Sequence, residues 1–426
     1  MGQKRIYRWL SSIDLTKNTA VLAKARMLLL DTLACAVAGF REPEVHSMST
    51  LLMALSSGTI RWPGQPVSLS AIDTAFVGTV AACWHEACEG LEKAHGRPGL
   101  HAVPAAVALG LAGNHTLGDV LTAIVRGYEL GARAGVALPI KPGMHVDGTW
   151  GCLAAATATA SILDTSLETA VNIAASQFPV SLQRPLFTGS TARNTFAAQG
   201  VNHGIRSAFS ALANITAPDD AIEESSRVAL DLHGPLNWDN SDDFFILDGY
   251  LKTYAGARHV HYGASCAVDW RQRNLEVKLE SLTGITLHTY PEALRYCGNR
   301  APKTALQAQF SLSYAVAHAM ARGSLGPEAY RTDALEDQTI QYLEELVCIE
   351  ISSDIKSRGA RLTVHCDDKK SFTRVNSIPG DPDKPLDMEE VADKARTFTI
   401  PSVGKKTTKN LIDFVLKCDL STPFQL

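Results

Sequence analysis

The chain is short of nearly every pattern that announces a cofactor. It has no CxxC pair and no HExxH, and its nine cysteines are scattered singly between Cys35 and Cys418. A zinc site built from paired ligands is therefore not encoded, and the absent cysteine triad argues against an iron–sulfur hydratase. No GxGxxG follows a strand-like segment, so the nucleotide fingerprint is missing too. No block of Lys and Arg is present, and the net charge of -4 supplies no field for nucleic acid. The most apolar N-terminal run, Ala20 to Gly39, is interrupted by Lys24, Arg26 and Asp31, too often for a bilayer span. The opening MGQKRIYRWLSS lacks an apolar signal core, and the odd cysteine count fits free thiols in a reducing compartment. The expectation is a cytoplasmic protein with no cofactor, no metal, and neither nucleic acid nor membrane as a partner.

What is present is a large apolar core. Hydrophobic residues make up 46% of the 426 and charged residues 20%, the composition of an ordinary globular protein with room for two or three domains. The first 230 or so residues are rich in Ala and Leu with helical periodicity. Helices are expected from Asn18-Thr19 to Gly39, and over Ile72–Ala87, Ala102–Ala112, Leu117–Val136, Trp150–Leu163 and Leu167–Ser176. Several are apolar on most faces, which implies a multilayer helical core or a buried dimer surface.

The texture changes near residue 245. Leu282–Tyr290, Val347–Ser352 and Arg361–Ile378 alternate with the period of strands, the last as a hairpin turning at Asp367-Asp368-Lys369-Lys370. Ala305–Ala321 reads as a helix between them. Past the Pro-rich Pro379–Pro385, Met388–Arg396 and Thr407–Leu416 read as helical again. The resulting fold class is mainly α. A large helical domain comes from both chain ends, residues 1–249 and 385–426, with a smaller α+β domain at 250–384.

Five segments carry chemistry. Lys252 to His261 (K-T-Y-A-G-A-R-H-V-H) sets an amine, a phenol, a guanidinium and two imidazoles within ten residues without one acid. That suits a small polyanion, although a surface loop has the same look. Its density of cations would repel a metal from His259 and His261. His95 and His101 stand six apart on a Gly/Pro-rich loop, where they could serve as acid and base with Glu92 orienting one of them. His145 precedes the Gly-flanked Thr149 at a helix start, where free N–H groups favour anions. Thr191–Phe196 brings Arg193, and a helix from Ala308 to Ala317 puts Ser311 and Tyr314 on neighbouring turns.

In this order and spacing the segments resemble the MmgE/PrpD family over nearly the whole chain. The resemblance rests on H-x(5)-H-x-x-P at His95/His101, G-x-H-x-x-G-T-x-G at His145, and K-x-Y-x-x-x-R-x-x-H at Lys252. A-Q-F-S-L-x-Y-A-V-A and the P-G-D-P-x-x-P turn complete it. It implies an all-helical domain plus an α+β lid, assembled as a homodimer. It also implies a pocket of His101, His145, Lys252, Arg258, His261 and Tyr314. Two departures stand out. The family's acidic D-x-D-D run is matched here to Gly90-Leu91-Glu92-Lys93, with Glu89 beside it, and Arg193 takes the place of a Lys.

The implied reactions all create or quench charge on carbon beside a carboxylate. The expectation is thus a cofactor-independent lyase for a small carboxylate, most simply a hydro-lyase of the 2-methylcitrate dehydratase type. Epimerisation or decarboxylation in the same pocket, or a non-catalytic dimeric binding protein, are the alternatives. The catalytic set is His101, His145, Lys252 and Tyr314; the substrate-binding set is Arg193, Arg258, His261 and Glu92. Lys252, crowded by Arg258 and imidazoles, would have a lowered pKa and shuttle protons. Arg193 and Arg258 suit bidentate carboxylate clamping. Asp147 and Glu92 fit a helix cap or a solvated acid better than a catalytic role, Ser311 fits packing, and His95, His203, His259, His288, His318 and His365 fit core or surface positions.

Overall fold

The computed structural model describes residues 2–355, 357–366 and 369–426. Its body is a stack of helices whose small side chains let their axes approach closely. We label six of them: α1 (Thr19–Gly39), α2 (Ala71–Cys83), α3 (Pro98–Ala112), α4 (Leu117–Ala137), α5 (Gly151–Ile162) and α6 (Phe196–Leu212). On α4, Gly127 and Gly131 face α5 so tightly that an added methyl would lie 2.7 Å from the Ala154 carbonyl oxygen and 2.6 Å from the Ala154 side chain. The apolar periodicity that marks α1, α3 and α5 on all sides reflects burial on all sides.

The tail closes onto this stack. Met388–Lys417 runs as one helix broken by left-handed Gly404, three residues after Pro401, and it packs along α1. Arg26 of α1 donates to the Val415 and Cys418 carbonyls at the end of that helix, satisfying oxygens that have no partner within it. Lys394 pairs with Asp31 of α1 in the buried seam. Among the described residues, no helix is long and apolar enough to cross a membrane.

A four-stranded sheet forms the smaller part, with β1 Leu282–Thr289, β2 Val347–Ile351, β3 Ala360–Cys366 and β4 Lys369–Val375 in the order β2-β1-β3-β4. β1 and β2 are parallel; β1 with β3 and β3 with β4 are antiparallel. Leu362 and Val364 of β3 are buried between half-buried neighbours, as the alternation predicts. The hairpin falls where the sequence suggests, though Asp367 and Asp368 of its turn lie outside the described residues. The helix α7 (Arg258–Arg273) packs against β3 and β4, with Trp270 Nε1 donating to Ser371 Oγ at 2.7 Å. Its first turn carries Arg258, His259 and His261.

Two expectations need correction. The expected helix over Ala305–Ala321 is two helices, because Ser311 leaves the helical conformation and caps Leu312–Arg322 by accepting the Tyr314 N–H at 3.2 Å. The expected Ile72–Ala87 helix stops at Cys83, and the chain turns through Glu86 at a left-handed φ of 52°.

Candidate active site

The candidate cavity lies where the turn after α2, the loop before α5 and the approach to α7 converge. Its volume is about 600 Å³, within the range of about 300–1,000 Å³ usual for small-molecule sites. Seven Lys and Arg side chains line it against four carboxylates, Glu86, Glu92, Asp147 and Glu292. The net -4 chain therefore concentrates an excess of three positive charges here.

At the floor sits a buried network of five charges. Glu86 Oε1 accepts from Arg97 Nη1 at 2.8 Å and pairs with Arg193, while its Oε2 lies 3.2 Å from Lys252 Nζ. Asp147 pairs with Arg97 and lies 3.4 Å from Arg193. Both guanidiniums also donate to Cys83 Sγ, at 3.3 Å from Arg97 and 3.0 Å from Arg193. Burial alone would raise the Glu86 carboxyl, but Arg193, Arg97 and Lys252 outweigh it and hold it at about 2. Asp147 is likewise pulled far below the usual range, against burial, chiefly by Arg97. The left-handed backbone at Glu86, a conformation that costs a non-glycine residue about 1–3 kcal/mol, aims its carboxylate at this cluster.

Lys252 is 2% exposed. Its ammonium donates to Glu86 Oε2, to the Glu86 carbonyl and to the Gly256 carbonyl, so all three hydrogens are used. Burial lowers its pKa, and Glu86 only partly restores it. His145 is held down to about 4, first by burial and then by Arg193 and Arg97 against the pull of Asp147. Its Nδ1 accepts the Asp147 backbone N–H at 3.1 Å, which assigns the proton of the neutral ring to Nε2. His145 thus presents to the cavity a neutral donor.

Four residues of the expected pocket stand otherwise. His101 does not line the cavity: it is buried one turn inside α3, with Nδ1–H on the Arg97 carbonyl at 3.0 Å and Nε2 accepting from Gly148 N–H at 3.2 Å. Neither nitrogen is free, so it braces the Arg97 and Asp147 loops instead of trading protons. His261 is also behind the wall, its Nε2 on the Gly256 carbonyl at 3.1 Å and its Nδ1 3.4 Å from Arg258 Nη1. Tyr314 is away from the cavity altogether, its hydroxyl donated to the Ala329 carbonyl. Glu92 sits at the rim, exposed, 3.6 Å from Arg358.

Arg258 lines the cavity and pairs with Asp381, which also accepts from Tyr262 Oη at 3.1 Å and from Ile378 N–H at 3.0 Å. Asp381 belongs to the Pro379-Gly380-Asp381-Pro382 turn. A methyl at left-handed Gly380 would fall 1.8 Å from the Leu251 carbonyl oxygen, so glycine lets this turn press against the segment leading to Lys252. His259, read from sequence as a core or surface histidine, lines the cavity with Nδ1 2.7 Å from Tyr290 Oη and its ring stacked on Tyr296.

Two family models match the chain, the MmgE/PrpD N-terminal domain over residues 4–235 and the MmgE/PrpD C-terminal domain over residues 254–420. The chain belongs to the MmgE/PrpD family. It is also similar to the cis-aconitate decarboxylase of Aspergillus terreus, 23% identical over 453 positions that cover 94% of this chain and 90% of that one.

In this MmgE/PrpD member two buried acids stand just ahead of the stretch matched to the acidic run. The buried acids are Glu86 and Glu89, three apart as are the first and last acids of D-x-D-D, and they precede the stretch at Gly90. Glu89 Oε1 accepts the Gly99 and Leu100 N–H groups at the start of α3. Arg97, Asp147 and Glu86 were the residues that sequence reading passed over as site members. The E-x-x-E spacing ahead of a Gly/Pro-rich helix start was the signal available for Glu86. Among the described residues no group of three or more His, Cys, Asp or Glu side chains is arranged to hold a metal ion.

Proposed function

We propose that this protein is a cofactor-independent lyase for a small polycarboxylate, most simply a hydro-lyase, with Lys252 as its proton carrier. The observation that carries the reading is the buried Lys252 ammonium beside Arg97 and Arg193, whose charges are met by Glu86 and Asp147. A substrate carboxylate can compete with those two side chains for the guanidiniums and so be fixed next to Lys252. As the free amine, Lys252 takes the proton from the carbon beside that carboxylate. The C–H electron pair forms the alkene, the C–O bond to the leaving hydroxyl breaks, and the new ammonium returns its proton to the departing oxygen as water. Arg97 and Arg193 hold the carboxylate as charge builds on it, and His145 Nε2–H offers a neutral donor to the developing anion.

Decarboxylation is the second reading, and the three hydrogen bonds holding Lys252 as an ammonium favour it. Loss of CO2 leaves a carbanion that needs only a proton, which a charged Lys252 supplies. The similarity to a cis-aconitate decarboxylase points the same way. Two-base epimerisation has less support, since His101 and His261 have both nitrogens occupied. The same reading takes the chain to act as a homodimer, which light scattering on the purified protein checks.

The deciding experiment incubates the protein in D2O with 2-methylcitrate, citrate, cis-aconitate and iminodisuccinate and follows each by NMR. A new alkene with water lost supports the hydro-lyase. Deuterium at the carbon that lost CO2 supports the second reading. No change in any of the four substrates sinks the carboxylate-lyase assignment.

A further inference from the structure

Tyr250 and Gly90 form an isolated antiparallel bridge at the cavity wall, with Gly90 N–H to the Tyr250 carbonyl at 3.0 Å and Tyr250 N–H to the Gly90 carbonyl at 2.9 Å. A methyl at Gly90 would stand 2.3 Å from Tyr250 Oη and 2.4 Å from Cζ. Gly90 is not among the residues with left-handed φ, so its glycine provides space, not backbone freedom. The phenol fills that space. Its ring carries two guanidiniums, Arg258 at 4.8 Å and Arg358 at 5.0 Å from the centroid. Tyr250 is 8% exposed, faces the cavity, and its hydroxyl has no hydrogen-bond partner among the described residues. Burial raises its pKa, against Arg358 and Arg258, which keeps the hydroxyl a proton-bearing donor.

The ring thus lies under two cations, and its hydroxyl, on a residue that lines the cavity, is free to donate to an anionic acceptor there. We propose that Tyr250, seated by Gly90, determines specificity by donating its hydroxyl to a carboxylate oxygen of the substrate. Arg258 and Arg358 supply the charge that draws the carboxylate there, and the hydroxyl fixes its position. The proposal rests on the reading of the cavity as a polycarboxylate site. It adds that a second carboxylate is recognised through Tyr250, apart from the one held by Arg97 and Arg193.

The test is calorimetric titration with tricarballylate, a saturated tricarboxylate with no hydroxyl to lose, and with succinate. Tyr250→Phe keeps the ring and both cation contacts and removes only the hydroxyl. It should weaken tricarballylate binding by about ten-fold or more, with an unchanged thermal midpoint. Gly90→Ala should weaken binding similarly by pushing the phenol aside, and the two losses should not add in the double variant. Should Gly90→Ala fail to fold, Tyr250→Phe alone decides. Wild-type affinity retained in Tyr250→Phe overturns this proposal and leaves the polycarboxylate reading standing. Binding of neither probe by the wild-type protein overturns both.

Discussion

Lys252 Nζ lies 3.2 Å from Glu86 Oε2, and the same carboxylate holds Arg97 at 2.8 Å through its other oxygen. One buried acid from the turn after α2 thereby ties the proposed proton carrier to a proposed carboxylate clamp. Glu86 keeps Arg97 and Arg193 as partners when the lysine is removed, so Lys252→Ala should leave the fold intact. Turnover in the D2O assay should fall by at least about 100-fold. A rate near that of the wild type would take Lys252 out of the mechanism. Because burial lowers its pKa, the limb of the pH–rate profile that it governs should fall below the ordinary lysine range near 10.5.

Asp147 tests the other half of the network. It is 1% exposed and faces Arg97 and Arg193, so Asp147→Ala strips one buried counter-charge from two guanidiniums. Breaking a buried pair by removing one partner costs about 3–5 kcal/mol. Urea denaturation should show a loss of that order, with the Asp147→Asn loss smaller because the amide can still accept. Unchanged stability in Asp147→Ala would mean that the guanidiniums are already satisfied by Glu86 and Cys83.

Arg193→Lys probes carboxylate binding. A lysine keeps the charge but cannot contact Glu86, Asp147 and Cys83 through one planar fork. KM should rise several-fold with kcat little changed. A selective fall in kcat would instead place Arg193 in transition-state stabilisation.

The helical body and the small sheet are legible in the sequence because their signals are local. Ala-rich periodicity marks α1 and α4, and two-residue alternation marks β1 and β3. Lys252, Arg193 and Arg258 are legible too, as cations inside unusual motifs, and so is His145, as an imidazole in another. Glu86 is not. It follows an apolar helical run that reads as continuing to Ala87, and nothing local shows that the chain turns there with φ 52°. Arg97 and Asp147, 50 residues apart, meet only through tertiary structure. His101 shows the reverse failure. Its motif looks catalytic, but the helical periodicity of α3 turns it inward to backbone partners that no residue type reveals.

His101 can be tested as a brace. His101→Ala would leave the Arg97 carbonyl and the Gly148 N–H buried without partners. The expected cost is about 1–3 kcal/mol per orphaned group, read by urea denaturation, together with a fall in kcat as Arg97 and Asp147 lose their register. The shape of the pH–rate profile should not change, since no proton of the reaction passes through this ring. Loss of one limb of the profile would restore His101 as an acid or base.

Glu89 sets the pH dependence of stability near neutrality. Burial raises its carboxyl to about 8, above the pull of Arg97 and of the Gly99 and Leu100 N–H groups, and its Oε2 is buried without a partner. The folded state therefore holds a proton there that the unfolded chain has released above its ordinary value of 4.5. A raised folded-state pKa contributes stability fully below the unfolded value, and that contribution is lost as pH rises to about 8. His145, His85 and His259 are depressed, so they act in the opposite sense and only below the ordinary histidine value of 6.5. Between 6.5 and 8 the slope from Glu89 should stand clear of theirs, with unfolding free energy falling by up to about 1.4 kcal/mol per pH unit. Glu89→Gln keeps an acceptor for the α3 N–H groups and has no proton to lose. Urea denaturation at pH values across that window should show the slope in the wild type and a flatter line in Glu89→Gln. Parallel lines would show that Glu89 is ionised in the folded protein, balanced by Lys24, Arg97 and the helix start.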